Sequence, residues 1–224
     1  AIERLMMTPR RPLLAGLIAW ALTPWAAGPA QAQPAWPTAK SITILVPFSA
    51  GGSLDTTTRL VAQRLGERLG QTVVVENATG AGGGIGFQKA LQAVPDGYTF
   101  LMAGDSPLNP GQEKSATPYR FDVLNDLVPV VLVNTAPMVL VAHPSVPAKN
   151  LDELLALARR QPGRLSYATS GVGTIPHLAT EMIKRQAKIH MVHIPYRGAA
   201  QIVNDVAGQQ VDLAMLISAS AAPH

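Results

Sequence analysis

The sequence has 224 residues, with 18 Lys+Arg against 14 Asp+Glu, 47% hydrophobic residues, 5% aromatics and no cysteine. Without cysteine there can be no disulfide staple and no Cys-ligated metal, so stability has to come from a packed core. The small positive charge forms no basic stripe interleaved with aromatics, which argues against nucleic acid as a partner.

The chain opens on Ala1, and Met6 or Met7 reads as a start. From there Arg10-Arg11, a largely apolar run over residues 13–25 and the small-residue stretch Ala30-Gln31-Ala32 predict an export signal, residues 1–32, cleaved after about Ala32. The apolar run contains Pro24 and is short for a membrane span. Pro stands on both sides of Arg10-Arg11, so Sec and twin-arginine export both stay open. Beyond residue 32 there are 15 basic and 13 acidic residues among 192, enough chain for one domain or two small ones.

The chain is organised around residues 42–69. Residues 42–46 are a charge-free, β-branched run, as a buried parallel strand requires. Residues 47–53 make a tight turn through Ala50-Gly51-Gly52. An amphipathic helix then runs to Leu69, with Val61, Leu65 and Leu69 expected on its apolar face. The first N–H groups of a helix lack intrahelical partners and sit at the positive end of its dipole, so this strand, turn and helix start have the form of an anion cradle. Many parallel strand–helix units use glycine turns only to turn. A second strand is predicted at 72–75, an irregular glycine-rich loop at 77–86, a short helix at 86–93 and a third strand at 98–103 after the turn Pro95-Asp96-Gly97. Alternating strands and helices imply an α/β fold with parallel-rich sheets and right-handed crossovers.

Residues 104–126 read as loop. Two extended apolar runs, 128–133 and 138–142, are followed by Pro144 and Pro147, and this passage is the expected crossing between a first lobe, 33–137, and a second, 138–224. In the second, Asn150 and Glu153 have capping-box spacing, with Leu151, Leu154, Leu155 and Ala158 as the apolar face. A strand at 165–168, a small-residue turn at 169–174 and a helix at 175–186, with Pro176 in its first turn, repeat the opening motif. A strand at 191–194, a helix at 199–207 and a strand at 211–216 complete the series. Ligands of open α/β sheets bind beyond the carboxyl ends of strands, and two such ends facing each other would clamp a ligand.

Sharper motifs fail on spacing. From Gly80 and Gly82 the next glycine of a dinucleotide fingerprint falls on Ile85, no Gly-Lys pair exists, and His143, His177, His190 and His193 are not spaced as a metal set. No metal or cofactor is therefore expected. Gly104-Asp105-Ser106 resembles a short esterase nucleophile motif, yet it follows the third strand and lacks a downstream Asp-x-x-His; a serine esterase using Ser106 is the enzymatic alternative. Asp55 can cap the first helix or receive a ligand ammonium. Ser49, Ser53, Ser170 and Thr174 can donate to an anion or satisfy turn amides.

The segments ITILVPFSAGGSLD, LGQTVVVENATGAGG, PDGYTFLM, VPAKNLDELLALAR, PGRLSYATSGVGT, HLATE, MVHIPYRG and GQQVDLA run in order from Ile42 to Ala214. In that order the chain resembles the periplasmic solute-binding receptors of tripartite tricarboxylate transporters, the family that includes the Bordetella Bug proteins. The resemblance implies a type II periplasmic-binding-protein-like fold, two lobes with a ligand cleft between them, and no catalysis. It implies a monomer in the periplasm that captures a small mono-, di- or tricarboxylate or acidic amino acid and meets membrane transporter subunits transiently. A receptor serving a signalling partner is equally compatible. Carried over, the ligand-holding turns fall on Phe48, Ser49, Ala50, Gly51, Ser53 and Asp55, and on Ser170, Gly171, Gly173, Thr174 and His177. Leu54, Ile175-Pro176 and residues 214–217 depart from the pattern. Family members continue past this end and return to lobe one, so the resemblance implies a C-terminally truncated chain.

Overall fold

The computed structural model describes residues 36–104 and 122–222. Its first sheet is built on β1 (Ile42–Val46), where Ile42, Ile44, Leu45 and Val46 are all buried. Strand β1 lies between β2 (Val73–Asn77) and β3 (Thr99–Leu101), parallel to both. A strand flanked on both sides has no solvated edge, which is why this run carries no charge. Helix α1 (Ser53–Leu69) follows β1 and ends on Gly70 in the left-handed conformation. A 3-10 turn, Ala81–Gly83, leads into α2 (Gly84–Leu91), whose Phe87 is fully buried. A short α3 (Val123–Asp126) precedes the second sheet.

That sheet has the order β4 (Met138–Ala142), β7 (Leu213–Ile217), β5 (Ser166–Thr169), β6 (Val192–Pro195). Strand β4 runs antiparallel to β7, and the other pairs are parallel. Helices α4 (Leu151–Arg160), α5 (Ile175–Ala187), α6 (Ala199–Ala207) and α7 (Ser218–Ala221) complete this part. Successive strand residues point to opposite faces. Accordingly Tyr167 and Leu213 join Leu154, Leu157 and Ala158 of α4 in one core, while Ala168 and Ala214 join Ile202, Val203 and Val206 of α6 in another. Each large side chain fully buried this way contributes about 1.5–3 kcal/mol.

The described residues all fall within one compact unit. Among them no helix is long and apolar enough to cross a membrane. The expected export signal, residues 1–32, lies outside the described residues.

Two expectations are corrected. In α1 the buried residues are Asp55, Thr58 and Ala62, while Val61, Leu65 and Leu69 are only half-buried. The buried side is polar because its polar atoms are internally bonded: Thr58 Oγ1 donates to the Leu54 carbonyl at 2.6 Å, and Asp55 is ion-paired. In α4 the face is Leu154, Leu155, Leu157 and Ala158, and Leu151, on the first turn, is 51% exposed and outside the core cluster. As an extended passage should, the run 128–133 pairs with no described strand, and Val128, Val130, Val131 and Leu132 are 74–88% exposed. Pro129 in its middle has no N–H to give to a ladder.

Candidate ligand-binding site

The turn after β1 is shaped from beneath by Asp55. Its carboxylate accepts from the Gly51 N–H at 2.9 Å, from Arg59 Nε and Nη2 at 2.9 and 3.0 Å, and from Asn77 Nδ2 at 3.0 Å. Asn77 also donates to the Phe48 carbonyl at 2.9 Å, so the end of β2 fixes both sides of the turn. Burial pushes the Asp55 carboxyl up, but the bonds from Arg59, Gly51 and Asn77 outweigh it and hold the group below the ordinary carboxylate value. With its oxygens engaged in this way, Asp55 positions the cradle from behind.

The turn after β5 is held similarly. Gly171 has φ +132°, a region side chains rarely adopt, and a β-carbon there would lie 3.1 Å from Gly82 Cα. Its carbonyl accepts from Thr174 Oγ1 at 2.7 Å, and its N–H donates to Thr169 Oγ1. The Gly173 N–H donates to His177 Nδ1 at 3.2 Å. An imidazole nitrogen that accepts is unprotonated, and burial lowers the His177 pKa in agreement. Against His177 stands His193, with ring centroids 4.5 Å apart. Burial first, then the neighbouring His177, pushes His193 down to about 4. Neutral His193 Nε2 can thus accept the Thr169 hydroxyl, 2.7 Å away, leaving Thr169 Oγ1 to accept the Gly171 N–H. Glu181 closes the network, accepting from Tyr167 Oη and Lys184 Nζ, both at 2.5 Å.

The two turns meet. The Ser49 N–H donates to the Arg197 carbonyl at 3.3 Å, the Ser53 N–H to Ser220 Oγ at 3.2 Å, and Gly51 packs on Ala200. Between them lies a cavity of about 630 Å³, lined by Phe48, residues 79–83, Ile85, residues 170–172 and residues 195–197. That volume is in the usual range for small-molecule sites. Its lining residues lead into three helices, α2, α5 and α6, and none of these has a side-chain cap on its first turn. Helix starts carry partial positive charge. The lining contains no acidic residue, and its one charged residue is Arg197.

Of the expected site residues, Phe48, Ser170 and Gly171 line the cavity. Ser49, Gly51 and Ser53 contact the second half, Ala50 is exposed, and Asp55, Gly173, Thr174 and His177 brace the turns. The Ser49 hydroxyl is buried and makes no hydrogen bond. Sequence reasoning missed Asn77, the 79–83 loop and Tyr196-Arg197. The sequence marks 77–86 as an irregular glycine-rich loop but does not place it at the cavity, although its unusual glycine density marks a close backbone approach. Asp105 and Ser106 of the esterase alternative lie outside the described residues. Among the described residues no three His, Cys, Asp or Glu side chains gather as metal ligands. A smaller concavity of about 370 Å³ beside β1 contains Glu76 and Lys89, already paired with each other.

A pair of α/β sheets joined across such a cavity defines a binding protein of the type II periplasmic class. Residues 57–224 match the family model described as tripartite tricarboxylate transporter family receptor, and the chain belongs to that family. It is 39% identical over 184 residues to a UPF0065 protein of Bordetella pertussis, covering 81% of this chain and 56% of that one. It is 40% identical over 172 residues to Protein BugT of the same organism, covering 76% and 52%. The chain thus spans little more than half the length of these curated relatives. Among solved structures it is similar to an R. palustris protein with adipate (31% identity, TM-score 0.79, 84% of this chain and 62% of that one). It is also similar to MatC from Rhodopseudomonas palustris with bound malate (26%, 0.75, 84% and 63%) and to the periplasmic binding protein BugD (32%, 0.70, 80% and 59%).

Proposed function

We propose that this chain is the ligand-capturing part of an extracytoplasmic receptor that takes a small carboxylate from the periplasm and hands it to a tripartite tricarboxylate transporter. The carrying observation is the cavity itself, bordered by residues leading into α2, α5 and α6 and free of acidic side chains. Carboxylates are the small solutes that such a field favours. Relatives solved with adipate and malate support the same class. In this reading residues 1–32 are an export signal removed after about Ala32, and the receptor works as a monomer without a cofactor.

The lobes are residues 33–137 and 138–224; support comes from β3 ending the first sheet at Leu101 and β4 opening the second at Met138. The ligand carboxylate lies between the turns at 48–53 and 170–174. Closure excludes water and strengthens each charge-assisted bond, so the ligand selects the closed state by binding it better.

Isothermal titration of the full-length mature protein against a panel of mono-, di- and tricarboxylates tests the reading. Saturable heat with at least one member is expected. Folded protein that gives none with any of them overturns it.

A further inference from the structure

Resting on the receptor reading, we infer that the cavity selects a monocarboxylate with an apolar body over hydroxylated or dicarboxylic acids, and that Ile85 and Val172 read that body. The wall is largely carbon. Ile85 is 42% and Val172 52% exposed, and both line the cavity beside Phe48. The Tyr196 hydroxyl is tied to Asp205 at 2.5 Å, so this side chain offers the cavity only ring carbon. Against that wall, the lining side chains able to bond a polar group of a ligand are those of Thr79, Ser170 and Arg197.

Backbone contacts put the two apolar readers on one cavity. A β-carbon on Gly80, which has φ +127°, would lie 2.6 Å from Ile85 Cδ1, so the bare backbone there lets Ile85 fold over the 79–83 loop. That loop meets the second turn at Gly82, 3.1 Å from where a β-carbon on Gly171 would stand, with Val172 next in the chain. Large apolar side chains left partly in water gain when an apolar ligand covers them. A hydroxylated acid would lay its hydroxyls on the same wall without partners, which is unfavourable. A second carboxylate would fare worse, because the lining holds one charged residue, Arg197. Arg197 adjoins the first turn, its carbonyl accepting the Ser49 N–H. It is exposed and makes no ion pair among the described residues. One guanidinium suits one carboxylate, and the rest of the ligand is left to the carbon wall.

The test is titration of the full-length protein with butyrate, hexanoate and octanoate, and with adipate, malate and citrate. Hexanoate and adipate share a chain length and differ in whether its far end is a methyl or a carboxylate. For wild type, hexanoate is expected to bind tenfold or more tighter than adipate, malate or citrate. It should also bind tighter than butyrate, by about fourfold for each added methylene. Ile85→Ser and Val172→Ser, both at exposed positions, should each shrink the hexanoate-to-butyrate ratio threefold or more and leave the thermal midpoint unchanged. If adipate, malate or citrate binds as tightly as hexanoate, or if neither variant changes the ratio, the wall does not read the ligand body, although the receptor reading stands. If wild type binds none of the six acids, the receptor reading falls and this assignment with it.

Discussion

Ser49 and Gly198 approach so closely that a β-carbon on Gly198 would lie 1.9 Å from Ser49 Oγ and 2.9 Å from Ser49 N. No side chain fits there unless one half of the molecule moves against the other. Gly198 therefore sets how near the turn after β1 can come to the start of α6, and hence how tightly the cavity is closed on that side.

Gly198→Ala is expected to lower stability by about 1–3 kcal/mol, the range for overpacked sites. The same change loosens the contact between the halves. Urea denaturation measures the first effect, and carboxylate titration the second. Adding Ser49→Gly should recover much of both, because it removes two of the three clashing atoms. Additive effects in the double variant would show that the two residues do not share this contact.

Asp55→Asn keeps the shape of the side chain and removes its charge. The Arg59 and Gly51 N–H bonds then weaken, with an expected loss of about 1–3 kcal/mol, since bonds to a charged acceptor are the stronger kind. Equilibrium denaturation checks it. A variant as stable as wild type would mean that the turn does not depend on this carboxylate.

Acidification should destabilise the fold before the carboxylates titrate. His193 titrates at about 4 in the folded protein against an ordinary 6.5, so between those values the unfolded chain binds more protons. Stability then rises with pH across that window and falls as pH drops through it. His177 is shifted the same way. Asp55 and Glu181, held low in the fold, add their loss further down, as pH falls below their ordinary values of 3.8 and 4.5. Denaturation midpoints at pH 7, 5.5 and 4.5 should decline in that order, and His193→Asn should flatten the first step.

Asn150 caps α4 by accepting the Glu153 N–H at 2.9 Å, while Glu153 reaches back to the Lys149 N–H at 2.8 Å. Asn150→Ala is expected to lower stability by about 1 kcal/mol, as cap removal commonly does. Carboxylate affinity should not change, because the cap lies far along the chain from every residue that lines the cavity. A measurable loss of affinity would connect α4 to closure.

Much of this was legible in the residues. The charge-free run 42–46, the Asn150 cap and helix α6 follow from local pattern: composition marks the run, and the cap is closed by Glu153 three positions on. The buried face of α1 was not legible. A polar face is buried only when its partners are in place, and Asn77, which completes the Asp55 shell, arrives 22 residues later. The cavity wall was half legible. Phe48, Ser170 and Gly171 belong to the turns that the pattern selects, whereas the 79–83 loop and Arg197 become neighbours of those turns only through long-range packing.

Three of the helices that follow these strands carry basic residues at their far ends, Arg68 on α1, Lys89 on α2, Lys184 and Arg185 on α5, while α6 carries none. In the proposed receptor, the preference for anions comes from main-chain orientation more than from any one side chain. Rim residues are then free to drift, exchanging one acid for another, while the scaffold goes on repelling cations. A family built this way can widen its repertoire of solutes without ever having to reinvent how it holds a negative charge.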